Sequence, residues 1–230
     1  MANSISRRKL LLGVAAATLL AGCDSRAAST FLTIMGDWND RVSALLFSPT
    51  RLISQPPTSA LTPEASFPNY FISDTMPFPP ENWTLKVGGL VARPSVLSLQ
   101  QLKRMPSTAT RIRHHCVEGW SAVAQWQGVP LHEIARMVGV SREARYVEFR
   151  SFDAGYFSSW DIESALHPQT ILAYGMNGHP LYPDHGAPLR LYSPVKLGYK
   201  MVKYLTEVNF LPIRTGGYWE DQGYDWYGGV

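Results

Sequence analysis

Cys116 stands in the run "RIRHHCVEGW", residues 111–120, behind Arg111, Arg113, His114 and His115 and ahead of Glu118 and Trp120. A buried cysteine ordinarily serves as a small hydrophobe, but this cationic setting favours thiolate over thiol and suits that role poorly. Two chemistries remain. A nucleophilic cysteine needs a histidine base and an orienting group. His132, His167, His179 and His185 are available, and the spacing selects none of them. A thiolate ligand for a soft or redox-active metal is the other. One protein sulfur does not build a structural zinc or iron–sulfur site, which takes several Cys or His ligands. It suffices where an organic cofactor brings the remaining ligands.

The second cysteine, Cys23, closes the run "LLAGC". Arg7 and Arg8 precede an apolar stretch from Leu10 to Leu20 that is too short to span a bilayer, so residues 1–23 read as an export signal. The arginine pair resembles a twin-arginine signal, and "LAGC" resembles a lipobox, whose cysteine becomes a lipidated N-terminus. Cys116 is then an unpaired thiol in an oxidising compartment, where a free cysteine needs a reason. A twin-arginine route carries folded proteins, as a cofactor inserted in the cytoplasm requires.

The elements that must position Cys116 follow from patterning. With 45% hydrophobic and 17% charged residues and no internal repeat, the chain suits one globular domain. A net charge of +3, partly carried by Arg7, Arg8 and Lys9, gives nucleic-acid binding no support. Residues 24–66 hold an amphipathic helix, with Phe31, Ile34, Met35, Trp38, Val42, Leu45 and Leu46 on one stripe, and then a proline-rich strap. The helix lacks the basic polar face of a membrane-surface helix. Over 67–230, strands are expected at "WTLKVGGLV", "TRIRHHCV", "RYVEFRSF", "YFSSWDI", "TILAYGM", "PLRLYS" and "YKMVKYLTEVNF". Short helices are expected at "SLQQLKRM", capped by Ser98, and at "GVPLHEIARMVG", stopped by Gly139. "NGHP", from Asn177, marks a hairpin turn. Strands outnumber helices without regular alternation, which predicts an α+β fold with mixed sheets.

"RIRHHCVEGW" followed by "WQGVPLHEI" resembles the molybdopterin domain of the sulfite oxidase family, and within it bacterial periplasmic proteins related to the catalytic subunit of methionine-sulfoxide reductase. "SALHPQTILAYGMNGHPLYPDHGAPLRLYSPVKLGYKMVKYL" is similar to a second signature of that family. The resemblance implies a sulfite-oxidase-type domain over 67–230 and a molybdopterin cofactor carrying one molybdenum, with Cys116 as the metal ligand. It places His185, Arg190 and the run Gly198, Tyr199 and Lys200 around the pterin and its phosphate, with Asn69 and Ser151 as further contacts. A phosphate wants a guanidinium, an ammonium and close backbone N–H groups, which glycine permits. Ile72 and Ser73 stand where the reductases carry a Tyr-Glu pair, and His185 agrees with the sulfite-oxidising branch. Glu118 is a candidate proton donor, or a structural hydrogen-bond partner behind the cysteine loop. "WEDQGYDWYGG" either lines the pocket mouth with Trp219, Tyr224 and Trp226 or packs against the body.

The implied activity is oxygen-atom transfer: reduction of an S-oxide or N-oxide, or oxidation of sulfite. The implied location is the periplasm, with Cys23 anchoring the protein to the inner membrane. No C-x-x-C-H haem motif is present, so electrons are expected from another protein, and the resemblance implies a membrane b-type cytochrome as that partner. A lipid-anchored binding or assembly protein that keeps the fold without catalysis is the competing reading.

Overall fold

The computed structural model describes residues 26–230, so the export-signal and lipobox readings of residues 1–23 lie outside the described residues. The chain divides after Leu46 into two compact units. The first contains α1 (Arg26–Leu46), which starts earlier than the periodicity suggested. On it Trp38 is 61% exposed, and Ile34, Met35, Leu45 and Leu46 are exposed too.

The second unit, from Phe47, holds two five-stranded sheets. One contains β1 (Leu85–Gly89), β2 (Ser95–Leu97), β5 (Tyr146–Ser151), β6 (Phe157–Asp161) and β10 (Leu205–Leu211), in the order β2-β1-β10-β5-β6. Its β1 and β10 run parallel while its other pairs are antiparallel, so the sheet is mixed. The other is antiparallel: β3 (Thr108–His115), β4 (Ser121–Pro130), β7 (Ile171–Met176) and β8 (His179–Pro180) in that order, with β9 (Arg190–Tyr192) also on β7. Asn177 and Gly178, with φ of 51° and 93°, make the tight turn between β7 and β8 that "NGHP" signals.

Three short helices pack on this frame. α2 (Leu99–Lys103) carries a full capping box from Ser98 and Gln101. α3 (Leu131–Val138) buries Leu131, Ile134, Ala135 and Val138 and stops at Gly139 in the left-handed region. α4 (Ile162–Ala165) is capped by the Asp161 carboxylate, which accepts from Ser164 N at 2.8 Å.

Several elements differ from the sequence reading, and β2 and α4 are not among those expected. β4, ten residues long, was not among the expected strands, because Ala122, Val123, Ala124, Trp126 and Val129 are all buried and no alternation marks one face. In "YKMVKYLTEVNF" only Leu205–Leu211 is strand, since Gly198–Lys200 winds into a 3₁₀ turn. The strap also groups with the body rather than with α1. Thr62 N donates to Val123 O and Thr62 Oγ1 accepts from Val123 N, both at 2.9 Å, and Gln55 Oε1 accepts from Arg111 N at 2.9 Å.

Candidate active site

Cys116 begins the five-residue loop that closes the β3–β4 hairpin, where His115 pairs with Ser121. Cys116 N donates to Trp120 O at 3.0 Å and Gly119 N donates to Cys116 O at 3.0 Å, with Gly119 at φ 90° completing the turn. Glu118 Oε2 accepts from Trp120 Nε1 at 2.9 Å and lies 3.8 Å from Cys116 Sγ. Partial burial pushes the thiol's pKa up, and the Glu118 charge adds to that, so the thiolate-favouring setting expected from the flanking cations is corrected.

The sulfur lines a cavity of about 390 Å³, within the usual size of small-molecule sites. Of the residues that the sequence reading singled out, Asn69, Cys116, Glu118, His185, Arg190, Gly198 and Tyr199 line it together. Ser151 and Lys200 do not. Ser151 Oγ accepts from Asp153 N at 2.9 Å at the end of β5. The Lys200 ammonium is fully buried, bonded to Ser159 O at 2.9 Å and Trp226 O at 2.7 Å and paired with Glu220. The 3₁₀ turn aims that side chain away from the cavity, which corrects its placement at the phosphate.

Lys203, three residues on, lines the cavity instead. The same lysine-bearing run offered it, but nothing in the run showed which ammonium faces inward. Burial first, then Arg190, lowers its pKa to about 7. Its Nζ donates to Asp184 O at 2.8 Å.

Arg190 on β9 is buried, at 5% exposure, and stacks over the Trp126 and Tyr192 rings at 4.8 Å from each centroid. One Nη donates to His185 O at 2.9 Å. Its Nε has no hydrogen-bond partner among the described residues, and no carboxylate pairs with it there. His114, also on the wall, is held at about 3 by burial and then by Arg190, so its ring is neutral. Its Nδ1 lies 2.8 Å from Tyr192 OH, and its ring stacks on Trp120. Gly198 fits against this ring only because it lacks a Cβ, which would collide with His114. His185 is buried edge-on to Phe67, and burial lowers its pKa. From the C-terminal stretch, Trp219 and Tyr224 line the cavity, while Trp226 packs inside, its Nε1 donating to Ser159 Oγ at 2.8 Å.

A mixed α+β body that places a thiol and an uncompensated buried guanidinium on one cavity suits an anionic organic cofactor with a thiolate-bound metal. Residues 73–219 match the family described as the oxidoreductase molybdopterin binding domain, and the chain belongs to that family. It is 38% identical over 227 residues to the putative protein-methionine-sulfoxide reductase subunit YedZ1 of Azospira oryzae, covering 97% of this chain and 86% of that protein. It is 39% identical over 154 residues to the protein-methionine-sulfoxide reductase catalytic subunit MsrP of Xanthomonas axonopodis pv. citri, covering 60% of this chain and 48% of that one. The sulfane dehydrogenase SoxCD of Paracoccus pantotrophus superposes with a TM-score of 0.55 at 25% identity, over 58% of this chain and 39% of the other. The protein is therefore a molybdopterin-dependent oxidoreductase of the sulfite oxidase family, carrying molybdopterin with molybdenum.

The residues present fit that cofactor. A guanidinium with an unused donor, the half-buried ammonium of Lys203 and the Cys116 thiol supply cationic groups for a phosphate and a sulfur for a metal within one cavity. An unpaired buried cation is costly by itself, and an anion removes that cost.

Proposed function

We propose that this chain reduces an S-oxide by oxygen-atom transfer at a molybdenum held by Cys116. One observation carries the reading: the Cys116 thiol and the uncompensated Arg190 guanidinium line the same cavity. When bound, the molybdenum–pterin group supplies oxygen-atom transfer coupled to two-electron redox chemistry, which side chains do not provide. The names of the reductase relatives favour S-oxide reduction over sulfite oxidation.

The chain's own residues bind and orient. Arg190 and Lys203 hold the phosphate end, while Asn69, His185, Gly198 and Tyr199 shape the pterin-facing wall. Neutral His114 and Tyr192 brace the hairpin that presents the thiolate. Glu118, fixed by Trp120, is the acidic group beside the sulfur and receives the proton that the thiol gives up on metal binding. Ser151 and Lys200 hold the surrounding backbone.

The same proposal includes export to the periplasm, anchoring at Cys23 and electron supply from a membrane b-type cytochrome. The Arg7–Arg8 pair, "LAGC" and the lack of a haem motif in the sequence support it. The test is molybdenum and pterin analysis of purified protein, followed by assays with a reduced viologen dye and methionine sulfoxide or trimethylamine N-oxide, and with sulfite and an oxidised dye. S-oxide-dependent dye oxidation is expected. Sulfite oxidation without S-oxide reduction, or protein lacking molybdenum, overturns the proposal.

A further inference from the structure

Tyr204, between Lys203 and β10, is fully buried and lines the cofactor cavity, yet its hydroxyl has no hydrogen-bond partner among the described residues. A buried hydroxyl left unpaired costs stability, and a phenylalanine would fill the same space without that cost. Two other tyrosines beside the cavity show the ordinary arrangement. Tyr192 OH lies 2.8 Å from His114 Nδ1, and Tyr156 OH donates to Tyr199 O at 2.7 Å.

The backbone is strained at the same residue. Tyr204 has φ of 56°, in the left-handed region that a bulky aromatic residue rarely occupies. Successive side chains of an extended chain point to opposite sides. The turn at Tyr204 instead lets Lys203 and Tyr204 line one cavity together. Tyr204 O accepts from Phe152 N at 3.0 Å, and its ring tilts against the Phe152 ring with centroids 5.2 Å apart, so the residue is held at both backbone and ring.

The surrounding charges say what the hydroxyl can meet. The Lys203 ammonium lies 5.1 Å from the Tyr204 ring centroid, and the Arg190 charge also acts on the phenol. Two acids act on it as well. Asp153 already accepts from Ile72 N and Ser73 N with its two oxygens. Asp184 Oδ1 has no partner among the described residues, but a carboxylate only accepts and does not hold a phosphate. Burial, then Asp153, keeps the phenol's pKa above its ordinary value, so the hydroxyl is a neutral donor at neutral pH.

We propose that Tyr204 is a positioning residue for the cofactor, its hydroxyl donating a hydrogen bond to the phosphate that Arg190 and Lys203 hold by charge. This inference rests on the phosphate assignment made above. A phosphate brings acceptors to a wall where Arg190 Nε and Tyr204 OH are both unused donors. The hydroxyl, carried on a buried ring, fixes where along that wall the phosphate sits.

The test uses the full chain carrying Tyr204→Phe, with cofactor and without it, the latter made in cells unable to synthesise molybdopterin. During dialysis the loaded variant should lose pterin at least about tenfold faster than the wild type, read by fluorescence after acid extraction, as expected for a lost hydrogen bond to a charged group. The cofactor-free variant should melt at or above the wild-type temperature, because the change removes an unpaired group. Tyr192→Phe is the contrast: it deletes a hydroxyl already paired with His114 and should melt lower. Inorganic phosphate, used as the probe, should raise the melting temperature of cofactor-free wild type more than that of Tyr204→Phe. Wild-type pterin retention in Tyr204→Phe, an equal response to phosphate, or a melting temperature lowered as in Tyr192→Phe overturns the role. Lys203→Met, run alongside, reads the underlying assignment separately. Pterin kept in that variant overturns the phosphate site itself, while pterin lost there and kept in Tyr204→Phe overturns only the hydroxyl.

Discussion

The inner and outer walls of the cofactor cavity are made by different means. The inner wall is anchored on strands at two points: Cys116 follows β3, Arg190 opens β9, and both belong to one antiparallel sheet. The outer wall, formed by residues 67–72 and by Trp219 and Tyr224, contains no strand and is tied down by buried polar groups. The Asp153 carboxylate accepts from Ile72 N at 2.9 Å and Ser73 N at 3.2 Å. On the other side, Lys200 grips Trp226 O and Glu220, while Lys196 Nζ donates to Tyr227 O and Asp161 Oδ1 at 2.8 and 3.0 Å. Backbone ladders thus place Cys116 and Arg190, and side-chain ties place residues 67–72 and the C-terminal aromatics. The first kind of wall tolerates no displacement, while the second can be loosened without moving the sulfur.

The sharpest break in that contrast is Cys116→Ser. It should lower turnover by at least about a thousandfold, equivalent to about 4 kcal/mol in barrier height, while pterin content and melting temperature stay near wild type. Lys200→Met attacks the outer wall. It strands Glu220 in a buried site, so a stability loss of about 3–5 kcal/mol is expected in urea unfolding, with increased proteolysis in the C-terminal stretch. Lys203→Met, on the inner wall, should instead lower pterin occupancy by about 10- to 150-fold in affinity, as expected for losing a charge-assisted hydrogen bond of about 1.5–3 kcal/mol. Pterin fluorescence after acid extraction separates the two lysines. If the Lys200 variant loses pterin but stays folded while the Lys203 variant keeps it, the assignment of the two ammonium groups is reversed.

Two weaker effects depend on pH. Lys203 has its pKa lowered from the ordinary lysine value to about 7, so in cofactor-free protein the unfolded chain binds the proton more tightly. Stability should therefore rise as pH increases from about 7 toward the ordinary lysine range, and this slope should vanish in Lys203→Met. The smallest effect concerns the strap. His179 Nε2 lies 2.8 Å from Glu64 Oε2, and the Pro180 carbonyl and then Glu64 raise its pKa. A raised histidine pKa contributes stability that is fully present below the unfolded value and is lost as pH rises through the folded one. Raising the pH from 5 to 8 should therefore weaken strap attachment by at most about 1 kcal/mol, read as faster protease cleavage near residue 64.

The inner wall was largely legible in the sequence, and the outer wall was not. Cys116, His185, Arg190, Gly198 and Tyr199 sit in two short signatures, so their meeting could be expected from local runs. The tie of Ile72 and Ser73 to Asp153 spans some 80 residues and leaves no local pattern. Lys200 and Lys203 are indistinguishable by type, and only the 3₁₀ turn decides which one faces the cavity. β4 was hidden because burial on both sides erased its alternation.

The alternation along β3 also makes this site sensitive to parity. A strand slipped by one residue exchanges its two sides, so one inserted or deleted residue within β3 would carry the thiol to the opposite face of the sheet and an arginine or histidine toward the cavity. Natural length variation in this hairpin should therefore come in steps of two within the strands, or be confined to the Cys116–Trp120 loop.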